Sequence, residues 1–107
     1  MQTNTLQTID THTQKQWLDQ QAVILVDVRE ADEYATGHIP GATLMPLSTF
    51  DPKQSPQSQD QKIVLYCRSG QRSTMASQTL LSAGFSEVAH LEGGIGDWRK
   101  AGYLVQA

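Results

Sequence analysis

An apolar segment that runs into a cysteine-containing loop constrains the fold of this chain more than any other feature. The run Lys62-Ile63-Val64-Leu65 shows no polar alternation, which predicts a strand buried on both faces. Residues 73–83 have the apolar spacing of an amphipathic helix. The single cysteine, Cys67, therefore lies where a strand ends and a helix begins. In an open α/β sheet, ligands bind at this edge.

The residues around Cys67 favour an ionised thiol. A helix start presents unpaired N–H groups and about half a positive charge, and Arg68 and Arg72 add two full charges. An unperturbed cysteine has a pKa of about 8.5, so it is mostly protonated at neutral pH. The alternative for Cys67 is a buried, inert thiol, because free cysteine is among the most buried residue types. Its position between two arginines at a helix start favours a nucleophile.

The length and composition predict one globular domain over residues 1–107. A chain of 107 residues, 38% hydrophobic and 18% charged, is long enough for one core and too short for two. We expect the core to span about residues 9–103. Residues 1–8 are expected to be loose, with a possible short strand near Ile9.

Charge and hydropathy argue against nucleic-acid and membrane partners. The net charge is −3, and the eight Lys and Arg residues form no basic tract. The longest wholly apolar run, 22–26, is far shorter than the roughly 20 residues of a membrane span. Residues 1–16 lack the apolar stretch of a secretory signal, which favours a cytoplasmic location.

The cysteine and histidine content predicts neither a metal nor a cofactor. One cysteine allows no internal disulfide and no Cys-x-x-Cys pair, so chemistry at Cys67 must be completed by a thiol of another molecule. His12, His38 and His90 lack metal-ligand spacing, and one cysteine cannot complete a zinc site. Nothing in the sequence marks any histidine as a base for Cys67.

Strand and helix patterns alternate along the chain, which predicts an α/β fold. The sheet is expected to be parallel and to lie between helices. The expected strands are residues 22–26, 42–47, 62–65 and 88–91, and the expected helices begin at Thr11 and Glu30 and span 73–83 and 96–101. Residues 51–61 are expected to form an exposed connection.

The 73–83 helix is expected to bury one apolar stripe. Ala76, Leu80 and Ala83 repeat at helical spacing, and Met75 and Leu81 widen the stripe. Residues 74, 78 and 82 are polar and are expected to face water. The later Trp98 is expected to lie in the core.

Four motifs, in order, make the chain resemble a single-domain rhodanese of the thiosulfate sulfurtransferase kind. The resemblance covers nearly the whole chain, from about Ile9 to Tyr103. The motifs are Asp27-Val28-Arg29-Glu30 with Glu33-Tyr34, Gly37-His38-Ile39-Pro40-Gly41-Ala42, Cys67-Arg68-Ser69-Gly70-Gln71-Arg72-Ser73, and Gly93-Gly94 followed by Trp98. The resemblance implies a rhodanese-like three-layer fold, in which a central parallel sheet of about five strands has helices on both faces.

The resemblance also implies a reaction. Cys67 would take a sulfane sulfur from a donor such as thiosulfate, hold it as a persulfide, and pass it to cyanide or to a thiol, for example that of a thioredoxin-like protein. The loop would cradle the persulfide with backbone N–H groups, so Ser69 and Gln71 would act through their backbone. Arg68 and Arg72 would bind the anionic donor, with Arg72 favoured because the loop must curl back toward Cys67.

Other conspicuous residues are interpreted as scaffold. An Asp at a strand end commonly caps the next helix, and an Arg near acids commonly forms an ion pair. The resemblance likewise gives Asp27, Arg29 and Glu33 a supporting role around the site.

Two other functions are compatible with a cysteine loop. Cysteine phosphatases and arsenate reductases have one residue more between Cys and Arg, so the loop here predicts a pocket suited to one sulfur atom rather than to a phosphate. A sulfur carrier, or a protein-binding module that acts with a specific protein donor, would have the same loop as an enzyme.

Overall fold

The computed structural model describes residues 5–56 and 60–107, and in this part of the chain strands and helices alternate. The strands are β1 (Thr5–Ile9), β2 (Val23–Asp27), β3 (Thr43–Leu44), β4 (Lys62–Tyr66) and β5 (Glu87–Leu91). The helices are α1 (Thr11–Asp19), α2 (Ala31–Thr36), α3 (Gln71–Ser82) and α4 (Gly94–Lys100). Short 3-10 turns lie at Leu47–Thr49 and Pro52–Gln54.

The five strands form one parallel sheet in the order β1-β5-β4-β2-β3. Strand β4 is central, pairing with β2 on one side and with β5 on the other. The carboxyl ends of parallel strands meet at one edge, so the loops after β2, β4 and β5 converge there. The predicted parallel sheet and the predicted place of Cys67 at its edge are confirmed.

Two apolar cores cover the two faces of the sheet and make the fold three-layered. One core packs Trp17 of α1 and Trp98 of α4 against residues such as Leu25, Val64 and Leu91. The other contains Ala76 and Leu80 of α3 beside residues that include Val26, Leu65 and Cys67. Because Cys67 belongs to this second core, the site is anchored in packed structure. The predicted burial of Trp98 is confirmed.

The prediction of a loose N-terminus over residues 1–8 is wrong for residues 5–8. These residues belong to β1, which pairs with β5 from Thr5↔Glu87 to Ile9↔Leu91. Thr8 and Gln7 are polar and exposed, so the segment lacks the apolar signal of a buried strand. Its strand conformation comes from backbone pairing with β5. Residues 1–4 lie outside the described part of the chain.

Two predictions about β3 and the 51–61 connection need correction, whereas helix α1 begins at Thr11 as predicted. Its N-terminal cap is Asp10, whose carboxylate accepts a hydrogen bond from the Thr13 N–H at 2.8 Å. Strand β3 has two residues rather than six, because a 3-10 turn follows Pro46. The 51–61 connection is not wholly exposed, since Ser55 is buried; residues 57–59 of that connection lie outside the described residues.

The apolar stripe predicted for the third helix is partly wrong. Met75 is 56% exposed, although Ala76 and Leu80 are buried as expected. Ala83 is the exposed C-terminal cap of α3. Successive helical residues are rotated by about 100°, and the face against the sheet is completed by Ser73 and Ser77 instead. Serine side chains are small enough to fit between α3 and the sheet although they are polar.

None of the helices in the described ranges is long and apolar enough to cross a membrane.

Candidate active site

Cys67 lies directly after β4 and is covered by its own loop. The residue is 1% exposed, and it is the only cysteine in the chain. Gly70 adopts a φ of 111° at the start of α3, a conformation that residues with a Cβ rarely take. The backbone therefore turns back over the sulfur before the helix begins.

The loop directs several hydrogen-bond donors at the Cys67 sulfur. The N–H of Gly70 lies 3.1 Å from Sγ and the N–H of Ser73 lies 3.4 Å from it. The hydroxyl oxygen of Ser73 is 3.7 Å from the same sulfur. Converging N–H groups at a helix start form a ready site for an anion, so the arrangement suits a thiolate.

The pKa of Cys67 is lowered by this arrangement. Burial raises the pKa, because it disfavours the charged form. Hydrogen bonds from the N–H groups of Ser73, Gly70 and Ser69, together with the Ser73 hydroxyl, outweigh burial and bring the pKa below its ordinary value. The site therefore favours the nucleophilic form of the cysteine.

Arg72 forms a two-point ion pair with Glu33 of α2. Its Nη1 donates to Oε1 at 2.6 Å and its Nη2 donates to Oε2 at 2.9 Å. Both side chains are 30% exposed. The pair ties the start of α3 to the start of α2, and the positive charge of Arg72 still acts on the Cys67 sulfur.

The other loop side chains point outward. Arg68, Ser69 and Gln71 are exposed, whereas Ser73 is buried. Within residues 5–56 and 60–107, no acidic side chain forms an ion pair with Arg68. Its guanidinium is thus the more accessible of the two loop cations.

The loop sequence and its surroundings match a known family. Residues 10–101 fit the family model described as a rhodanese-like domain. The chain belongs to the rhodanese-like domain family. The resemblance that the four sequence motifs indicated is confirmed.

Curated relatives of this rhodanese-like domain include one of similar length. A sulfurtransferase of Allochromatium vinosum is 38% identical over 100 residues, which cover 92% of this chain and 94% of that protein. The protein slr1261 of Synechocystis, which is uncharacterized, is 48% identical over 100 residues. That alignment covers 94% of this chain but 56% of the relative, so the chain spans about half of that protein.

Solved structures agree with the family assignment. The BH2092 protein of Bacillus halodurans superposes with a TM-score of 0.84 at 28% identity, over 94% of this chain and 77% of that one. The predicted rhodanese-like fold is therefore confirmed.

The amino end of α4 braces the loop of this rhodanese-like domain, a contact that the sequence did not predict. The N–H of Ile95 donates to the Cys67 carbonyl at 2.9 Å, and the N–H of Gly96 donates to the Arg68 carbonyl at 3.1 Å. Gly94 lies so close that a Cβ there would overlap the Cys67 carbonyl oxygen. The helix starts at Gly94, two residues before the predicted start, because its first turn is bonded to the loop.

Asp27 and Arg29 form a buried ion pair beneath the site. Arg29 Nη2 lies 2.8 Å from Asp27 Oδ2, and both side chains are almost inaccessible. Arg29 also donates to the Gly37 carbonyl at 2.7 Å, which connects the pair to the end of α2. Asp27 accepts hydrogen bonds from Arg29 and does not cap α2, whose N-terminal cap is Glu30. The ion pair expected for Arg29 is therefore present. The expectation that Asp27 caps the next helix is wrong.

The structure also brings a histidine to the site. His90 of β5 lies with Nδ1 3.1 Å from the Ser73 hydroxyl oxygen, which in turn contacts Cys67. The sequence carried no signal for this contact, because His90 lies within a buried strand among apolar residues. Among the residues that the structure describes, no cluster of three His, Cys, Asp or Glu side chains could hold a metal ion.

The Glu33–Arg72 pair is expected to make stability acid-sensitive. The hydrogen bond from Arg72 lowers the pKa of Glu33 from 4.5 to about 2. A depressed carboxylate pKa adds stability that is fully present above about pH 4.5 and is lost as the pH falls through about 2. Glu33→Gln should therefore lower the free energy of unfolding by on the order of 1 kcal/mol at neutral pH, because solvent screens a partly exposed pair.

Denaturant unfolding of wild type and Glu33→Gln from pH 7 to pH 2 measures this difference. The difference between their free energies of unfolding should decrease as the pH falls below about 4.5. Arg72→Gln and the double variant complete a double-mutant cycle, which measures the interaction energy between Glu33 and Arg72. A gap that stays constant over the whole pH range would contradict the assignment.

Proposed function

We propose that this rhodanese-like domain is a sulfurtransferase that moves a sulfane sulfur through a persulfide on Cys67. The donor is thiosulfate or a similar anion, and the acceptor is cyanide or a thiol, including that of a thioredoxin-like protein. The observation that carries the proposal is the set of donors from Gly70, Ser73 and Ser69 that converge on the buried sulfur. The name of the Allochromatium relative supports the same reaction class.

The reaction is a double displacement. The Cys67 thiolate attacks the outer sulfur of thiosulfate, a new S–S bond forms, and sulfite leaves with the electron pair of the broken S–S bond. The acceptor, a thiolate or cyanide, then attacks the outer sulfur of the persulfide. Cys67 leaves as a thiolate and is ready for another cycle, so no redox partner or cofactor is consumed.

The loop stabilises the anions of this cycle. The thiolate before attack and the persulfide after it both carry negative charge at or beside Sγ. Charge-assisted hydrogen bonds from preorganised N–H groups are stronger than neutral ones, and they need no reorganisation as the charge moves. Cys67 is 1% exposed, and the added sulfur of the persulfide extends one bond beyond Sγ, so we expect this outer sulfur to be the atom that an acceptor reaches.

The loop length favours sulfur over phosphate. Four residues separate Cys67 from Arg72, one fewer than in cysteine phosphatases and arsenate reductases. The N–H groups of Gly70 and Ser73 are already within hydrogen-bond distance of the sulfur, which leaves little room for a tetrahedral anion in contact with it. Steady hydrolysis of a small aryl phosphate by the purified protein would overturn this choice.

Intact-protein mass spectrometry tests the proposed reaction. After incubation with thiosulfate the protein should gain one sulfur atom, and cyanide or a dithiol should remove it. If the protein gains sulfur only from a protein persulfide donor, the sulfur-carrier alternative replaces thiosulfate sulfurtransfer. If neither donor modifies a thiol that still titrates, transfer through Cys67 is wrong.

The two loop arginines should attract anionic reagents to Cys67. We expect Arg68→Gln and Arg72→Gln each to lower the rate of alkylation by iodoacetate several-fold, while alkylation by the neutral iodoacetamide changes less. For thiosulfate, loss of a charge-assisted contact should lower kcat/KM about tenfold, equivalent to ~1.5 kcal/mol of transition-state binding.

Glu33→Gln separates two roles of Arg72. If Arg72 binds the donor, removing its carboxylate partner should raise the rate of alkylation by iodoacetate relative to the rate of alkylation by iodoacetamide. If Arg72 only clamps α3 to α2, Glu33→Gln and Arg72→Gln should have the same effect, and the donor site would be assigned to Arg68.

A further inference from the structure

A chain of hydrogen bonds runs from the surface to the reactive sulfur. The hydroxyl of Thr8, an exposed residue of β1, lies 3.1 Å from His90 Nε2. The other ring nitrogen, Nδ1, lies 3.1 Å from the Ser73 hydroxyl oxygen. That oxygen lies 3.7 Å from Cys67 Sγ, within range of a hydrogen bond to sulfur. Two strands, one helix and the loop after β4 supply these four groups.

The Ser73 hydroxyl has one proton and three nearby acceptors. They are the Gly70 carbonyl at 3.1 Å, the His90 ring and the Cys67 sulfur. The Gly70 carbonyl already accepts from the Thr74 N–H at 3.1 Å and from the Thr74 hydroxyl at 2.8 Å. A carbonyl oxygen has two lone pairs, so these bonds satisfy it. The Ser73 proton is therefore available to the imidazole or to the sulfur.

His90 decides between these two acceptors through its tautomer. Burial lowers the pKa of His90 and the charge of Glu92 opposes this, so the neutral ring is favoured at neutral pH. A neutral imidazole donates from one nitrogen and accepts at the other. With the proton on Nδ1, the ring donates to Ser73 and accepts from the Thr8 hydroxyl. The Ser73 proton then has the sulfur as its acceptor.

We propose that His90 is a positioning residue that holds the Ser73 hydroxyl as a donor to the anionic sulfur of Cys67. This inference rests on the proposed function, in which Cys67 acts as a thiolate and then as a persulfide anion. The buried imidazole acts through Ser73 and does not take the thiol proton itself. Each hydrogen bond in this series is donated in the direction of the anion, so each bond strengthens the next.

Two amide variants separate the contacts of the two ring nitrogens. The amide nitrogen of asparagine takes the position of Nδ1, and that of glutamine takes the position of Nε2. His90→Asn therefore keeps a donor to Ser73, whereas His90→Gln keeps only the contact with Thr8. We expect His90→Gln to raise the pKa of the thiol by about 0.5 unit or more, and His90→Asn to raise it by clearly less.

The pH profile of iodoacetamide alkylation measures this pKa. His12→Asn, at an exposed histidine, is the matched control and should leave the profile unchanged. The charged groups that act on His90 and Cys67, namely Glu92 and Arg72, are intact in every variant. The same thiol pKa in wild type and His90→Gln would overturn the proposal. A larger rise of this pKa in His90→Asn than in His90→Gln would also overturn it.

A spectroscopic measurement on the unaltered protein covers the case in which a variant fails to fold. Ring nitrogen-15 shifts at a pH above the thiol pKa should show His90 neutral with the proton on Nδ1, and the exposed His12 supplies the reference. A proton on Nε2 in the thiolate form would overturn the proposal. The alkylation profile follows thiol acidity and the nitrogen-15 shifts follow the ring tautomer. Neither depends on sulfur transfer, so a protein that fails to form a persulfide still tests the role of His90.

Discussion

Replacing Cys67 by serine is expected to abolish persulfide formation while the fold is retained. A serine hydroxyl does not ionise in the range where the Cys67 thiol does, so it offers no anion to attack a sulfane sulfur. The side chain is small and buried beside several N–H donors, which a hydroxyl oxygen can also accept from. The free energy of unfolding should therefore change by only about 1 kcal/mol.

The measurement is the mass gain after incubation with thiosulfate, made together with thermal unfolding. The variant should gain no sulfur atom, whereas wild type should. Ser69→Ala is the control in the same loop, because its side chain is exposed and only its N–H acts on the sulfur. A mass gain that persists in Cys67→Ser would refute the nucleophile assignment.

Gly94→Ala is expected to displace the cysteine loop. The residue has a φ of 57°, and an added Cβ would overlap the backbone of Cys67 and Arg68. The left-handed conformation costs about 1–2 kcal/mol for alanine, and overpacking adds about 1–3 kcal/mol. Because the overlapping atoms are backbone atoms of the loop, we expect transfer to fall at least about tenfold, as misplacement of reacting groups does.

Gly102→Ala is the matched control for this substitution. It also has a positive φ, 85°, but a Cβ there meets nothing within 4 Å. It should therefore lower stability through backbone conformation alone and leave the transfer rate of the folded protein unchanged. The two variants are compared by unfolding free energy and by the rate of persulfide formation. Equal transfer rates would mean that α4 does not position the loop.

The cysteine loop is held from two sides. On one side the Arg72–Glu33 pair joins the start of α3 to α2. On the other side the first turn of α4 donates to the carbonyls of Cys67 and Arg68. A loop fixed in this way keeps its N–H groups aimed at the sulfur in the absence of substrate. Preorganised donors of this kind stabilise developing charge without a reorganisation cost.

Local patterns in the sequence were sufficient for most of the fold. Uninterrupted apolar runs predicted β2 and β4, and the helical spacing of apolar residues predicted α3. Strand β1 was largely missed because its strand conformation comes from pairing with β5, 82 residues away at Thr8 and His90. The burial of Ser73 and Ser77 was missed because their position against the sheet, and not their polarity, excludes water.

The sequence by itself determined that a cysteine, two arginines and a glycine share one strand-to-helix loop, because these residues are adjacent in the chain. Only the tertiary structure decided what surrounds the sulfur. Glu33 reaches Arg72 across 39 residues, and His90 reaches Ser73 across 17. Such contacts depend on the order of strands in the sheet, which brings the ends of β2, β4 and β5 together. Sheet order is a global result of packing, so no local pattern encodes which side chains meet at the sulfur.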